Sequence, residues 1–94
     1  MAEKIIALVT DFETTGLEVN EGAEPIELAA IAVDLSDPAL PELARFGPRR
    51  MRANNIGSIQ LQALKVNGIT LDEIRSAPDP VDVFIDFAEF ARQF

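Results

Sequence analysis

The sequence predicts an α/β (α+β) domain, in which a three-stranded antiparallel meander is followed by helices. Three observations predict it. Apolar runs bounded by turn residues fill the first half of the chain. The connections between those runs are short, which suits antiparallel neighbours, because a parallel pair needs a long crossover. In the second half the apolar spacing changes to a helical period and helix-cap residues appear.

Ile5 to Phe12 is apolar on both alternating faces, the pattern of a central, fully buried strand. Gly16 and the polar stretch Glu18-Val19-Asn20-Glu21-Gly22 then read as a loop, closed by Pro25. A second strand is expected from about Ile26 to Leu35, ended by Ser36-Asp37-Pro38. A third spans about Leu43 to Met51, and Pro48 inside it argues for an edge position or a bulge, since proline cannot donate to a ladder.

Ser58 is a suitable N-cap for a helix over Ile59 to Val66, and Asn67-Gly68 supplies its stop. Thr70 and Glu73 fit a capping box before a short helical turn. Asp79-Pro80 opens the last helix, with Asp as cap and Pro in the first turn. Its apolar stripe is Phe84, Phe87, Ala88 and Ala91, widened by Val83, Phe90 and Phe94. That helix meets no Gly or Asn stop, and Phe87, Phe90 and Phe94 call for a partner surface, because large exposed apolar patches are uncommon on soluble monomers. The expectation is that residues 1–94 form one domain without a linker, the N-terminal portion of a larger unit.

Composition narrows the function classes. A hydrophobic content of 48% over 94 residues belongs to a globular chain, not a disordered one. No apolar run approaches the roughly 20 residues of a membrane span, and Met1-Ala2-Glu3-Lys4 lacks the features of a secretory signal. A cytoplasmic location is therefore the default expectation, without membrane partners. The chain has no Cys and no His, so disulfides and thiolate sites are out and any metal must be held by oxygen. The net charge of −8 argues against a protein that coats nucleic acid through a basic surface. It argues less against a nuclease, where metal ions and a few arginines neutralise phosphate locally. Arg45, Arg49, Arg50 and Arg52 fall in one short window. The simpler reading of that window is a solvated edge strand charged against aggregation; the sharper one is a contact to a phosphate backbone.

The chemistry concentrates at Asp11 and Glu13. Two residues apart at the end of a strand, they point to one face with Cα atoms about 6.6 Å apart. Carboxylate oxygens are the hard ligands that magnesium and manganese prefer, and two-metal phosphoryl-transfer sites hold their ions roughly 3.5–4 Å apart. Acids simply facing water at a strand end are the alternative.

The stretch Asp11-Phe12-Glu13-Thr14-Thr15-Gly16-Leu17 resembles the first motif of the DEDD family of 3′–5′ exonucleases, the proofreading-subunit type with a ribonuclease-H-like fold. Pro25-Ile26-Glu27-Leu28-Ala29-Ala30-Ile31-Ala32-Val33 is similar to that family's second strand, and Ala63-Leu64-Lys65-Val66-Asn67-Gly68-Ile69-Thr70 to the element before its next helix. The resemblance implies a metal-dependent 3′–5′ exonuclease, with Asp11 and Glu13 as catalytic metal ligands for Mg2+ or Mn2+, two ions in the complete site. It implies that Thr14, Thr15 and Gly16 lie along the terminal nucleotide, that Leu17 wedges against the terminal base, and that Asn67 stands near the nucleotide pocket. The implied substrate is a single strand or 3′ end of DNA or RNA, with proofreading beside a polymerase as the implied role.

Each of these residues also has a plainer reading. Thr14, Thr15 and Gly16 could make a turn, Leu17 could pack in the core, and Asn67-Gly68 could merely stop a helix. Glu27 reads as a strand residue facing water, without a role. Asp72, Glu73, Asp82, Asp86 and Glu89 read as cap and surface charges. The family also needs two further acids and a His or Tyr base, and the chain contains neither His nor Tyr. Asp11 and Glu13 thus amount to half an active site, completed by a missing C-terminal half or a partner protein. Two alternatives stand beside the nuclease: a non-catalytic remnant or accessory module that binds a partner chain or nucleic acid, and, more distantly, a haloacid-dehalogenase-like phosphatase, whose motif has Asp where Glu13 stands here.

Overall fold

The computed structural model describes residues 4–16, 23–54, 65 and 68–94. Within them the chain forms strands β1 (Ile6–Thr14), β2 (Pro25–Asp34) and β3 (Glu42–Arg50), then helices α1 (Leu71–Ser76) and α2 (Pro80–Ala91). The strands make one antiparallel sheet in the order β1-β2-β3, the meander expected from the short connections. Of the helix expected over Ile59 to Val66 only Lys65, which is helical, is among the described residues; Leu17 and Asn67 lie outside them.

β2, not β1, is the middle strand. Its even-numbered residues Ile26, Leu28, Ala30, Ala32 and Asp34 are buried, and its odd-numbered ones are half-buried. β1 borders only β2 among the described residues, and Val9 and Phe12 stay 54% and 43% exposed. The fully buried central strand expected at Ile5 to Phe12 therefore does not hold within these residues. Apolar composition shows what a strand can bury, but its neighbours decide what it does bury.

Helix α2 covers the even face of β2. Val83 and Phe90 pack with Leu28, Ala30, Ala32, Phe46 and Met51, and Ile6, Leu8, Ala44 and Phe87 close around them. Phe87 and Phe90, two of the three phenylalanines that call for a partner surface, find one in Phe46, whose ring centroid lies 5.6 Å from both, whereas Phe94 stays 41% exposed. Phe94 stacks edgewise on Phe90 at 5.3 Å. Val83 and Phe90 carry the burial, while Phe84, placed in the expected stripe, remains exposed. Ile26 packs with Ala53, Ile69, Ile74 and Leu71 around α1. Each large side chain so buried contributes about 1.5–3 kcal/mol.

Local signals fix the ends of the helices. The Glu73 amide donates to Thr70 Oγ1 at 3.1 Å, and the Val81 amide donates to Asp79 Oδ1 at 2.9 Å with Pro80 in the first turn. Among the described residues β3 borders only β2, and the ladder between them slips at Pro48: Ala30 pairs with Phe46 but Leu28 with Arg49. Gly47 and Pro48 thus form a bulge opposite Ala29, as proline in a strand requires. Gly47 takes φ +74, and a Cβ there would stand 2.6 Å from the Leu28 carbonyl oxygen, so only glycine fits. No described helix is long and apolar enough to cross a membrane.

Candidate metal-ligating face of the sheet

The even face of the sheet carries the buried clusters; the chemistry lies on the odd face. Asp11 and Glu13 belong to the odd series of β1, opposite Ala29 and Glu27 of β2. Among the described residues, none of the odd-numbered positions of β1 or β2 joins either buried cluster. Asp11 is exposed and Glu13 half-buried. Because the strand leading to them is only half-buried at Ile6 to Leu8 and exposed at Val9 and Thr10, the acids are not intruders in a buried run.

A shallow apolar concavity of about 240 Å3 opens beside Asp11, lined also by Val9, Ala29, Ile31, Arg45 and Pro48. The bulge at Gly47-Pro48 forms its far side.

The next row of the sheet is charged. Glu13 pairs across to Glu27, and Glu27 pairs across to Arg50. Arg50 Nε lies 3.6 Å from Glu27 Oε1, and the same guanidinium meets the Glu73 carboxylate of α1. The sequence offers no role for Glu27 and shows Arg50 only as one of a group, because which residues face each other depends on register.

The four arginines of the window are each paired. Arg45 meets Glu42 at 2.6 Å, Arg49 meets Asp86 at 3.1 Å, and Arg52 meets Asp79 at 3.3 Å. The hydrogen bond and charge of Glu42 push the Arg45 pKa up. Arg49 also lies over the Phe46 ring, 5.8 Å from its centroid. This is the simpler reading, a charged edge strand whose cations are satisfied locally; exposed pairs of this kind contribute about 0–1 kcal/mol each.

The Thr-Thr-Gly segment folds on itself. Thr15 is fully buried; its amide donates to the Glu24 carbonyl at 2.9 Å, and the Glu24 amide donates to Thr15 Oγ1 at 2.9 Å. Thr14 Oγ1 donates to the Gly16 carbonyl at 2.6 Å. These bonds close the base of the β1–β2 connection just beyond the two acids.

Asp11 and Glu13 present hard oxygen donors from one strand face, a donor set that fits Mg2+ or Mn2+. Among the described residues no group of three or more His, Cys, Asp or Glu stands together as a complete cation cage. Such ions are commonly held by one or two carboxylates together with substrate phosphates, so a pair is a workable beginning.

Compared with known proteins, the chain matches the model of the family RNase_T, described as Exonuclease, over residues 8–94. No curated protein and no solved structure matches it significantly. The match and the antiparallel pairing of β1 with β2 together overturn the phosphatase alternative, whose doubly wound sheet is parallel around its first strand.

Proposed function

The chain belongs to the RNase_T exonuclease family, and we propose that it is the metal-ligating N-terminal part of a 3′–5′ exonuclease acting on the 3′ ends of DNA or RNA. Asp11 and Glu13 hold Mg2+ or Mn2+. When bound, two such ions supply charge stabilisation to the attacking and leaving oxygens of an in-line phosphodiester displacement.

The chain's own residues bind and orient. Asp11 and Glu13 fix the cation side of the scissile phosphate. Within the segment Thr14, Thr15 and Gly16 proposed to run along the terminal nucleotide, Thr15 is buried and serves as the brace, through its two bonds to Glu24. The same reading assigns Leu17 to the terminal base, a contact that suits single strands without sequence preference, and Asn67 to nucleotide binding. The His or Tyr base that the resembled family uses for proton transfer is absent from this sequence. A continuation of the chain or a partner protein provides it, together with two more acids, and a polymerase partner would make the activity proofreading, in the cytoplasm.

One observation supports the reading above others: the region matched as exonuclease carries both carboxylates on the face of the sheet opposite the buried clusters of the described residues. The test is to isolate the protein from its native source, determine its intact mass, and assay Mg2+-dependent release of nucleoside monophosphates from a single-stranded oligonucleotide. A mass above 10.3 kDa, with activity that Asp11→Ala abolishes, is expected; activity retained in Asp11→Ala sinks the assignment.

A second reading is a non-catalytic module that docks on a partner. It is favoured by the exposed apolar side chains of Val81, Phe84 and Ile85 and by Phe12, whose ring lies 6.4 Å from that of Phe84. It predicts no hydrolysis with any metal and stable association with another chain.

A further inference from the structure

Glu13, Glu27 and Arg50 stand in one row across the three strands. Side chains directly opposite on one face have Cβ atoms about 4.5–5.5 Å apart, and like charges so placed repel. Glu27 is therefore within reach of a cation held by Glu13, yet its carboxylate is engaged on the other side by Arg50 at 3.6 Å. Arg50 is itself anchored, because it also pairs with Glu73 of α1. A guanidinium is a rigid fork of donors that can bridge two carboxylates at fixed geometry. The bulge at Gly47-Pro48 creates this arrangement. An unslipped ladder continuing from Ala30–Phe46 would set Arg49 across from Glu27, whereas the extra residue brings Arg50 there and turns Arg49 toward Asp86 of α2.

We propose that Arg50 is a positioning residue that acts through Glu27, holding that carboxylate toward β3 so that Asp11 and Glu13 alone face the divalent cation. This inference rests on the reading of Asp11 and Glu13 as metal ligands. The consequence is chemical. A cation bound by two carboxylates keeps coordination positions for a substrate phosphate, whereas a third carboxylate raises affinity and takes one of those positions. Arg50 thereby favours a looser, substrate-accepting site over a tighter, closed one.

The test is direct Mn2+ binding, followed by the electron paramagnetic resonance of free Mn2+, on the wild-type chain, Arg50→Ala, Arg50→Gln, Arg50→Lys, Glu27→Gln, the double variant R50A/E27Q, and Asp11→Ala, each checked for folding by circular dichroism. Freed from Arg50, Glu27 joins the site, so Arg50→Ala and Arg50→Gln bind Mn2+ about tenfold tighter. Glu27→Gln alone shifts the affinity by no more than about twofold, and the double variant returns close to wild type. Arg50→Lys keeps the charge and stays near wild type. A gain of affinity cannot come from loss of fold, which separates positioning from mere structure. Unchanged or weaker binding in both Arg50→Ala and Arg50→Gln overturns the proposal, as does tighter binding that persists in R50A/E27Q. Binding that Asp11→Ala leaves intact overturns the metal-ligand reading and this inference with it, whereas binding lost in Asp11→Ala but indifferent to Arg50 removes only the role of Arg50.

Discussion

Thr15 and Glu24 hold each other twice, the Thr15 amide on the Glu24 carbonyl and the Glu24 amide on the Thr15 hydroxyl, both at 2.9 Å. The side-chain half of that clasp is the part a mutation can remove. Thr15→Val keeps the buried volume but leaves the Glu24 amide without its hydroxyl acceptor, at a cost of about 1–2 kcal/mol. Thr15→Ser keeps the oxygen and loses less. Urea unfolding of the two variants checks the order; equal stability would assign the clasp to the backbone bond alone.

Gly47 is the one residue type its position accepts. Gly47→Ala puts a methyl group 2.6 Å from the Leu28 carbonyl oxygen at a φ of +74, so the bulge must rearrange or the protein loses more than about 2 kcal/mol. Thermal melts measure the loss. If the chain instead rebuilds the ladder without the bulge, Arg50 leaves Glu27, and Mn2+ affinity changes alongside stability.

Asp34 makes the β2–β3 turn sensitive to acid. The Ser36 hydroxyl and amide both donate to its Oδ1, the amide at 2.9 Å, and those bonds hold its carboxyl below the usual range. A carboxyl lowered in the folded state adds stability that is fully present above its unfolded pKa of about 3.9 and disappears as pH falls through the lower folded value. Wild type should therefore lose stability below about pH 4 more steeply than Asp34→Asn. Urea midpoints between about pH 2 and pH 6 give the comparison, and parallel curves would remove Asp34 from the acid response.

The core prediction concerns Leu28, fully buried at the centre of the larger cluster. Leu28→Ala costs about 2–5 kcal/mol, enough to unfold a domain of this size at moderate temperature. Val81→Ala, on the exposed side of α2, changes stability by no more than about 0.5 kcal/mol. Calorimetry of both variants tests whether α2 docks through Val83 and Phe90 as described.

What the sequence made legible was whatever depends on near neighbours in the chain. Thr70 and Asp79 announce their helices because a cap acts within three residues, and Pro48 announces an edge or a bulge because its missing N–H is a local fact. Asp11 to Gly16, which carry much of the family resemblance, likewise sit on one strand end and the residues just after it. That β1 borders only β2 among the described residues was not legible, because its apolar content is silent about how many strands adjoin it. The row Glu13–Glu27–Arg50 was hidden for a related reason. It spans three strands, and one inserted residue at the bulge decides which of two consecutive arginines completes it.

The one-sided packing of the sheet also guards its own alignment. Sliding β1 by a single residue along β2 would exchange its two faces, turning Ile6 and Leu8 away from the cluster they pack against. Either direction of slip would put Ala7 or Val9 where Leu8 stands, and a smaller side chain there leaves unfilled volume. The side chains that dock β1 on the packed face therefore double as a key to its phase, and so settle which face Asp11 and Glu13 present.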